Sequence, residues 1–191
     1  MTEVEASKAD TRSPQVLPLS VKAYRALGEM GLIPEQTELL YGQVFRKMSK
    51  SPLHSFLALR LLRLLQAFIP PGYLCRLEQP ITCQDSEPEP DLAVVRGREE
   101  NFRQEHPRTA ELVIEVCVTS PRLRPLQTPR LRQRGREGVA GSCLRPDNQI
   151  EVHRQPDGDQ FGERTIHGPG GQPTSAAVPE ISLVLDALFS T

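Results

Sequence analysis

The strongest constraint on this chain is a pair of short apolar runs, each marked by a single acid. Leu112-Val113-Ile114-Glu115-Val116-Cys117-Val118 is its most strand-like stretch. Alternation puts Leu112, Ile114, Val116 and Val118 on one face and Val113, Glu115 and Cys117 on the other. A carboxylate flanked by apolar neighbours is costly to bury unless it is paired or holds a cation. Asp91 opens the second run, Leu92-Ala93-Val94-Val95, which follows the proline-stiffened Glu87-Pro88-Glu89-Pro90. If the two runs are neighbouring strands, Asp91 and Glu115 meet. Two carboxylates at that distance repel each other unless a cation lies between them. Mg²⁺ suits such a pair, taking one or two carboxylates together with waters and phosphate oxygens. By spacing alone the plainer reading is that Asp91 caps a turn and Glu115 pairs with an arginine.

The rest of the chain sets limits. With 191 residues it fits one domain, read as 17–191, preceded by a polar tail over 1–16 with no periodicity. Lys and Arg number 23 against 24 Asp and Glu, so net charge gives no hint of a nucleic-acid partner. Cys75, Cys83, Cys117 and Cys143 form no Cys-x-x-Cys pair, which argues against zinc and for reduced thiols. No apolar run reaches membrane-spanning length and the N-terminus has no signal-like core, so a cytoplasmic protein is expected. Ser20 is placed to cap a short helix through Tyr24 and Leu27. Thr37 to Met48, with Gly42 at its centre, reads as a strand pair. Residues 54–69 form the clearest helix, with Leu57, Leu61, Leu64, Leu65 and Phe68 on one face and Arg60, Arg63 and Gln66 on a solvated edge. Strands are expected at Tyr73 to Thr82, Gln149 to Arg154 and Gln160 to Ile166, and a short closing strand at Val178 to Leu183.

The ordered motifs resemble a known family. Pro90-Asp91-Leu92-Ala93-Val94-Val95 looks like the first catalytic strand of the restriction-endonuclease-like (Uma-type) family within the PD-(D/E)XK nuclease superfamily. Leu112-Val113-Ile114-Glu115-Val116 looks like its second. Glu38-Leu39-Leu40-Tyr41-Gly42-Gln43-Val44 is similar to its N-terminal hairpin. Met48, Ser49, Pro52 and His54 follow the family's order, and Val178 to Phe189 is similar to its closing segment. The resemblance implies an α/β fold with a restriction-endonuclease-like mixed β-sheet flanked by helices. It implies Mg²⁺ or Mn²⁺ as cofactor, held by Asp91, Glu115 and the carbonyl of Val116, with Asp91 and Glu115 as the catalytic acids. Glu38 and His54 become candidate accessory groups. Arg96 and Arg98 are weaker candidates for phosphate contacts. DNA becomes the expected partner, and a homodimer stays open.

The sequence also departs from that pattern. Tyr41 and Gln43 stand where the hairpin usually carries acids, and Cys117 stands where a lysine is standard. The family commonly supplies that lysine from the following helix instead, and here the helix is missing too. Residues 121–143 hold three prolines, three glycines and six arginines, a composition expected to form neither a stable helix nor the strand after it. Reading permitted codons one base later restores a family-like helix, lysine and strand, so this segment is read as translated out of register. The rival reading is a basic arm that folds on DNA or RNA. With the lysine gone, the expectation is weak or absent cleavage, and the alternative function is that of a non-catalytic DNA-binding or regulatory relative.

Overall fold

In the computed structural model, which describes residues 16–118, 140–145, 147–157 and 160–190, the two acid-bearing runs are adjacent strands. The chain order is α1 (Val21–Glu29), β1 (Thr37–Leu40), β2 (Gln43–Arg46), α2 (Pro52–Gln66), β3 (Tyr73–Leu77), β4 (Leu92–Arg96), a 3-10 turn (Glu99–Phe102), β5 (Leu112–Val116), β6 (Ala140–Arg145), β7 (Gln149–Asp157), β8 (Gln160–His167) and α3 (Leu185–Phe189). Strands β3 to β8 form one sheet in that order, while β1 and β2 pair separately. Every neighbouring pair of the large sheet is antiparallel except β5–β6, which is parallel, so the sheet is mixed and the fold is α/β.

Alternation decides the two faces. Leu92 and Val94 of β4, Leu112, Ile114 and Val116 of β5, and Ile150 and Val152 of β7 point toward Ala58, Leu61 and Leu65 of α2. The C-terminal residues Val178, Ile181, Leu183, Leu185 and Leu188 complete that core. On the other face Ala93, Val95 and Val113 meet Ile81 and Ala110. Burial of these branched side chains, at about 1.5–3 kcal/mol each, is the main favourable term holding the sheet to α2.

The local structure explains several boundaries. Helix α2 starts two residues before the expected 54 and ends at Gln66, not 69, because Ser51 caps it by accepting the His54 N–H at 3.2 Å and Pro52 has no N–H to satisfy. Phe68 therefore falls beyond the helix and is exposed. Arg60 is no solvated edge: its guanidinium donates to the carbonyls of Ala187 and Ser190 and pins the C-terminal end of α3. Strand β3 stops at Leu77, short of the expected Thr82, because Glu78 turns the chain with φ +51. The closing strand reduces to a single bridge between Thr174 and Ser182, followed by α3.

A larger correction concerns 121–143. A strand after that segment was not expected, yet β6 begins at Ala140 and bonds to β5 on one side and β7 on the other. Glycine and small residues are poor strand formers, but ladder hydrogen bonds to a partner on each side outweigh that preference. The remainder of the segment, with the out-of-register reading, and the 1–15 part of the tail lie outside the described residues.

The separate hairpin is fixed by its turn. Tyr41 and Gly42 have φ +52 and +72, the two-residue pattern that matches strand twist. A Cβ at position 42 would lie 2.3 Å from the Cβ of Pro18, so only glycine fits. The Gly42 carbonyl accepts from the Leu19 N–H, and its own N–H donates to the Asp85 carbonyl at 2.8 Å. Glu87 N–H donates to the Leu39 carbonyl at 2.7 Å, which ties β1 to the acidic run. Among the described residues no helix is long and apolar enough to cross a membrane.

Cys75 of β3 packs against the α2 side of the sheet, and burial pushes its thiol up to about 12. At pH 8 its iodoacetamide modification, followed by peptide mass spectrometry, should be slower than that of an unfolded control by roughly 1000-fold. Comparable rates before and after unfolding would contradict this packing.

Candidate metal centre

The β4–β5 ladder pairs Leu92 with Ile114, Ala93 with Val113 and Val94 with Leu112. One step further along the same register, position 91 faces position 115. The ladder thus delivers both acids to one end of two neighbouring strands, where the proline run enters. Asp91 is buried, and three groups converge on its carboxylate. Oδ2 accepts the Val116 N–H at 2.8 Å and lies 3.0 Å from His54 Nε2, while Oδ1 lies 3.4 Å from Lys50 Nζ. Burial opposes ionisation of Asp91, but His54, the Val116 N–H and Lys50 outweigh it and hold its pKa below the usual carboxylate value.

Glu115 behaves in the opposite sense. Burial pushes its carboxyl well above the ordinary range, and the negative charges of Asp91, Cys117 and Glu38 push the same way. The hydrogen bond from the Asp91 backbone only partly offsets them. Glu38, buried on β1, therefore belongs to the same electrostatic neighbourhood as Glu115. The expected accessory groups take different positions: His54 touches Asp91 directly from the first turn of α2, and Glu38 acts on Glu115 through its field.

Two residues of this neighbourhood were missed in the sequence. Lys50 sits in the loop before α2 and also contacts Glu78 Oε1 at 2.8 Å. Glu78 follows β3, and its backbone N–H donates to the Asp91 carbonyl at 2.9 Å. One donor atom each from His54, Glu78 and Asp91 lie within 4.8 Å of one another. Lys50 precedes His54 by four residues on the same capped turn, a proximity that could have drawn attention to it. Glu78 carried no comparable signal.

The neighbouring acids have other partners. Glu87 is held by Arg25, which also donates to Thr82 Oγ1 at 2.7 Å, and Glu89 pairs with Lys47 at 2.6 Å. Of the acids in the proline run, only Asp91 is turned toward His54 and Lys50. Arg96 bonds Glu111 at 2.6 Å and lies over the Tyr73 ring, so its charge is engaged away from Asp91. Arg98 caps the 3-10 turn, where its N–H meets Asn101.

A model of the Uma2 family, described as "Putative restriction endonuclease", matches residues 31–186. The chain belongs to the Uma2 family. A solved structure described as "a putative nuclease belonging to DUF820" from Anabaena variabilis superposes with a TM-score of 0.69 at 19% identity, covering 91% of this chain and 98% of that one. At that identity the likeness concerns the fold alone. No curated protein matches the chain. Within the Uma2 match lie the hairpin, α2, the β4–β5 pair and the closing segment as far as residue 186.

The donor chemistry of this Uma2 site fits a divalent cation. Carboxylate and carbonyl oxygens are the ligands Mg²⁺ and Mn²⁺ prefer. Burial, with the negative charge of Asp91 and more weakly of Glu38, raises the Glu115 pKa, and a cation beside Glu115 and Asp91 would offset that repulsion.

A raised carboxyl pKa has a definite consequence for stability. The unfolded chain releases the Glu115 proton near the ordinary 4.5, whereas the folded chain retains it to higher pH. Stability of the metal-free protein should therefore fall as pH rises from that value through the raised one. Glu115→Gln should raise the unfolding free energy measured by urea denaturation at pH 8 by on the order of 1 kcal/mol, with the gain shrinking toward pH 4. A pH-independent effect, or a loss at pH 8, would contradict the crowding of acids.

Proposed function

We propose that this chain is a divalent-metal-dependent DNA endonuclease of attenuated activity, with Asp91 and Glu115 as its metal-binding acids. The single observation that carries the reading is the β4–β5 register, which sets those two acids opposite each other in a member of a restriction-endonuclease family. The Val116 carbonyl, on the strand residue after Glu115, is the third ligand in this reading, and Mg²⁺ or Mn²⁺ is the ion. When bound, such an ion supplies positive charge that favours deprotonation of an attacking water and stabilises the charge growing on phosphoryl oxygens.

The chain's own residues prepare the site. The Val116 N–H and His54 fix the orientation of Asp91 and keep it ionised. Glu115 is held close by the strand ladder at a position that favours its charge only once a cation arrives. Cys117, two residues beyond Glu115, offers neither the fixed positive charge nor the proton chemistry of a lysine. That substitution is the reason for expecting attenuated hydrolysis, and it also favours a second reading, a DNA-binding relative without catalysis.

Calorimetric titration of the metal-free chain with Mn²⁺, alongside a supercoiled-plasmid nicking assay, tests the proposal. Wild type should bind Mn²⁺ and nick slowly, and chelation should abolish nicking. Asp91→Ala and Glu115→Ala should each weaken Mn²⁺ binding by about 100-fold or more and remove the nicking. DNA binding that ignores both Mn²⁺ and the two substitutions would instead support the non-catalytic relative.

A further inference from the structure

We infer that Lys50 is an internal counter-cation of the metal centre, and that a divalent ion binds by displacing its ammonium from Glu78 and Asp91. This rests on the metal-binding reading of Asp91 given above.

The ammonium already holds a position a metal would need. Lys50 Nζ lies 2.8 Å from Glu78 Oε1 and 3.4 Å from Asp91 Oδ1, so it engages oxygens of two of the three residues whose donor atoms cluster together. The third, His54, contacts the other oxygen of the same Asp91 carboxylate. An ammonium and a divalent ion cannot share those lone pairs. Both are cations, and at contact distance they repel strongly in a protein-like dielectric. An ion that takes Asp91 Oδ1 must therefore move Lys50.

The local structure permits that movement. The backbone at Lys50 is held by the adjacent Ser51 cap and Pro52, but the side chain is a flexible four-carbon stem about one-third exposed to solvent. The charge can leave for water while the loop stays in place. Glu78, whose carboxylate meets Lys50 Nζ, would then be free to face the incoming ion beside Asp91, while His54 keeps its contact with Asp91 Oδ2. Lys50 so lowers the affinity of the centre and keeps its acids neutralised when no metal is present.

Two measurements on the full-length, metal-free chain test this. In the first, Mn²⁺ affinity is measured by calorimetry for wild type, Lys50→Met, Lys50→Arg and Lys50→Met combined with Glu78→Gln. Lys50→Met should bind about tenfold more tightly or better, Lys50→Arg should resemble wild type, and the double variant should lose the gain. Equal or weaker binding by Lys50→Met overturns the inference while leaving the metal site intact. Absence of Mn²⁺ binding by every variant overturns the metal-centre reading and this inference together.

The second needs no substitution. Modification of the Lys50 amine by an N-hydroxysuccinimide ester, read by peptide mass spectrometry, should accelerate severalfold when saturating Mg²⁺ is added. An unchanged rate under conditions where Mg²⁺ is bound overturns the displacement.

Discussion

Everything at this site depends on placing negative charge at the end of an apolar strand pair. Antiparallel register, continued one step past Leu92–Ile114, brings the acids at positions 91 and 115 to one end of the pair, where burial leaves their repulsion weakly screened. The fold answers the two charges differently. Asp91 receives a backbone N–H, an imidazole and an ammonium, and stays ionised. Glu115 lies among further acids and is driven toward its protonated form. One member of the pair is therefore stabilised as an anion, and the other becomes one when positive charge arrives.

The surrounding architecture serves that asymmetry. Ser51 and Pro52 start α2 at the residue that brings His54 within reach of Asp91. The same turn delivers Lys50 from the other side of the cap. The tight Tyr41–Gly42 turn, clamped against Leu19 and Asp85, holds the hairpin that carries Glu38 toward Glu115. Arg25 and Lys47 neutralise Glu87 and Glu89, so the acidic proline run does not add two more charges to the centre. Such a division of partners among closely spaced acids is a tertiary property, since Arg25 and Lys47 come from segments far away along the chain.

Cys117 takes the place of a lysine, while Lys50, on a different element, brings an ammonium to Asp91. A lysine paired with two acids in the metal-free state is a neutralising group first. Its charge becomes available to other anions only after it is displaced. Position as well as residue type thus separates Lys50 from the lysine that the motif lacks.

Much of this was legible in the amino-acid sequence. Period-two alternation in 112–116, the continuous apolar run 92–95, the helical spacing of Leu57, Leu61 and Leu65, and the Ser20 cap each followed from local geometry, and the structure carries all of them. The ordered motifs were sufficient for the family. The sequence misled where composition was set against tertiary pairing: β6 forms between two partner strands despite glycine and small residues, because ladder hydrogen bonds on both sides outweigh a poor intrinsic preference. Only the fold could bring Lys50, His54 and Glu78 to Asp91, because contacts across 13 to 41 positions leave no periodic trace in the chain. The sequence by itself determined which residues are apolar, which are acidic and how they alternate. Tertiary structure decided which acid meets which cation, because charge pairing is set by distance in space and not by spacing along the backbone.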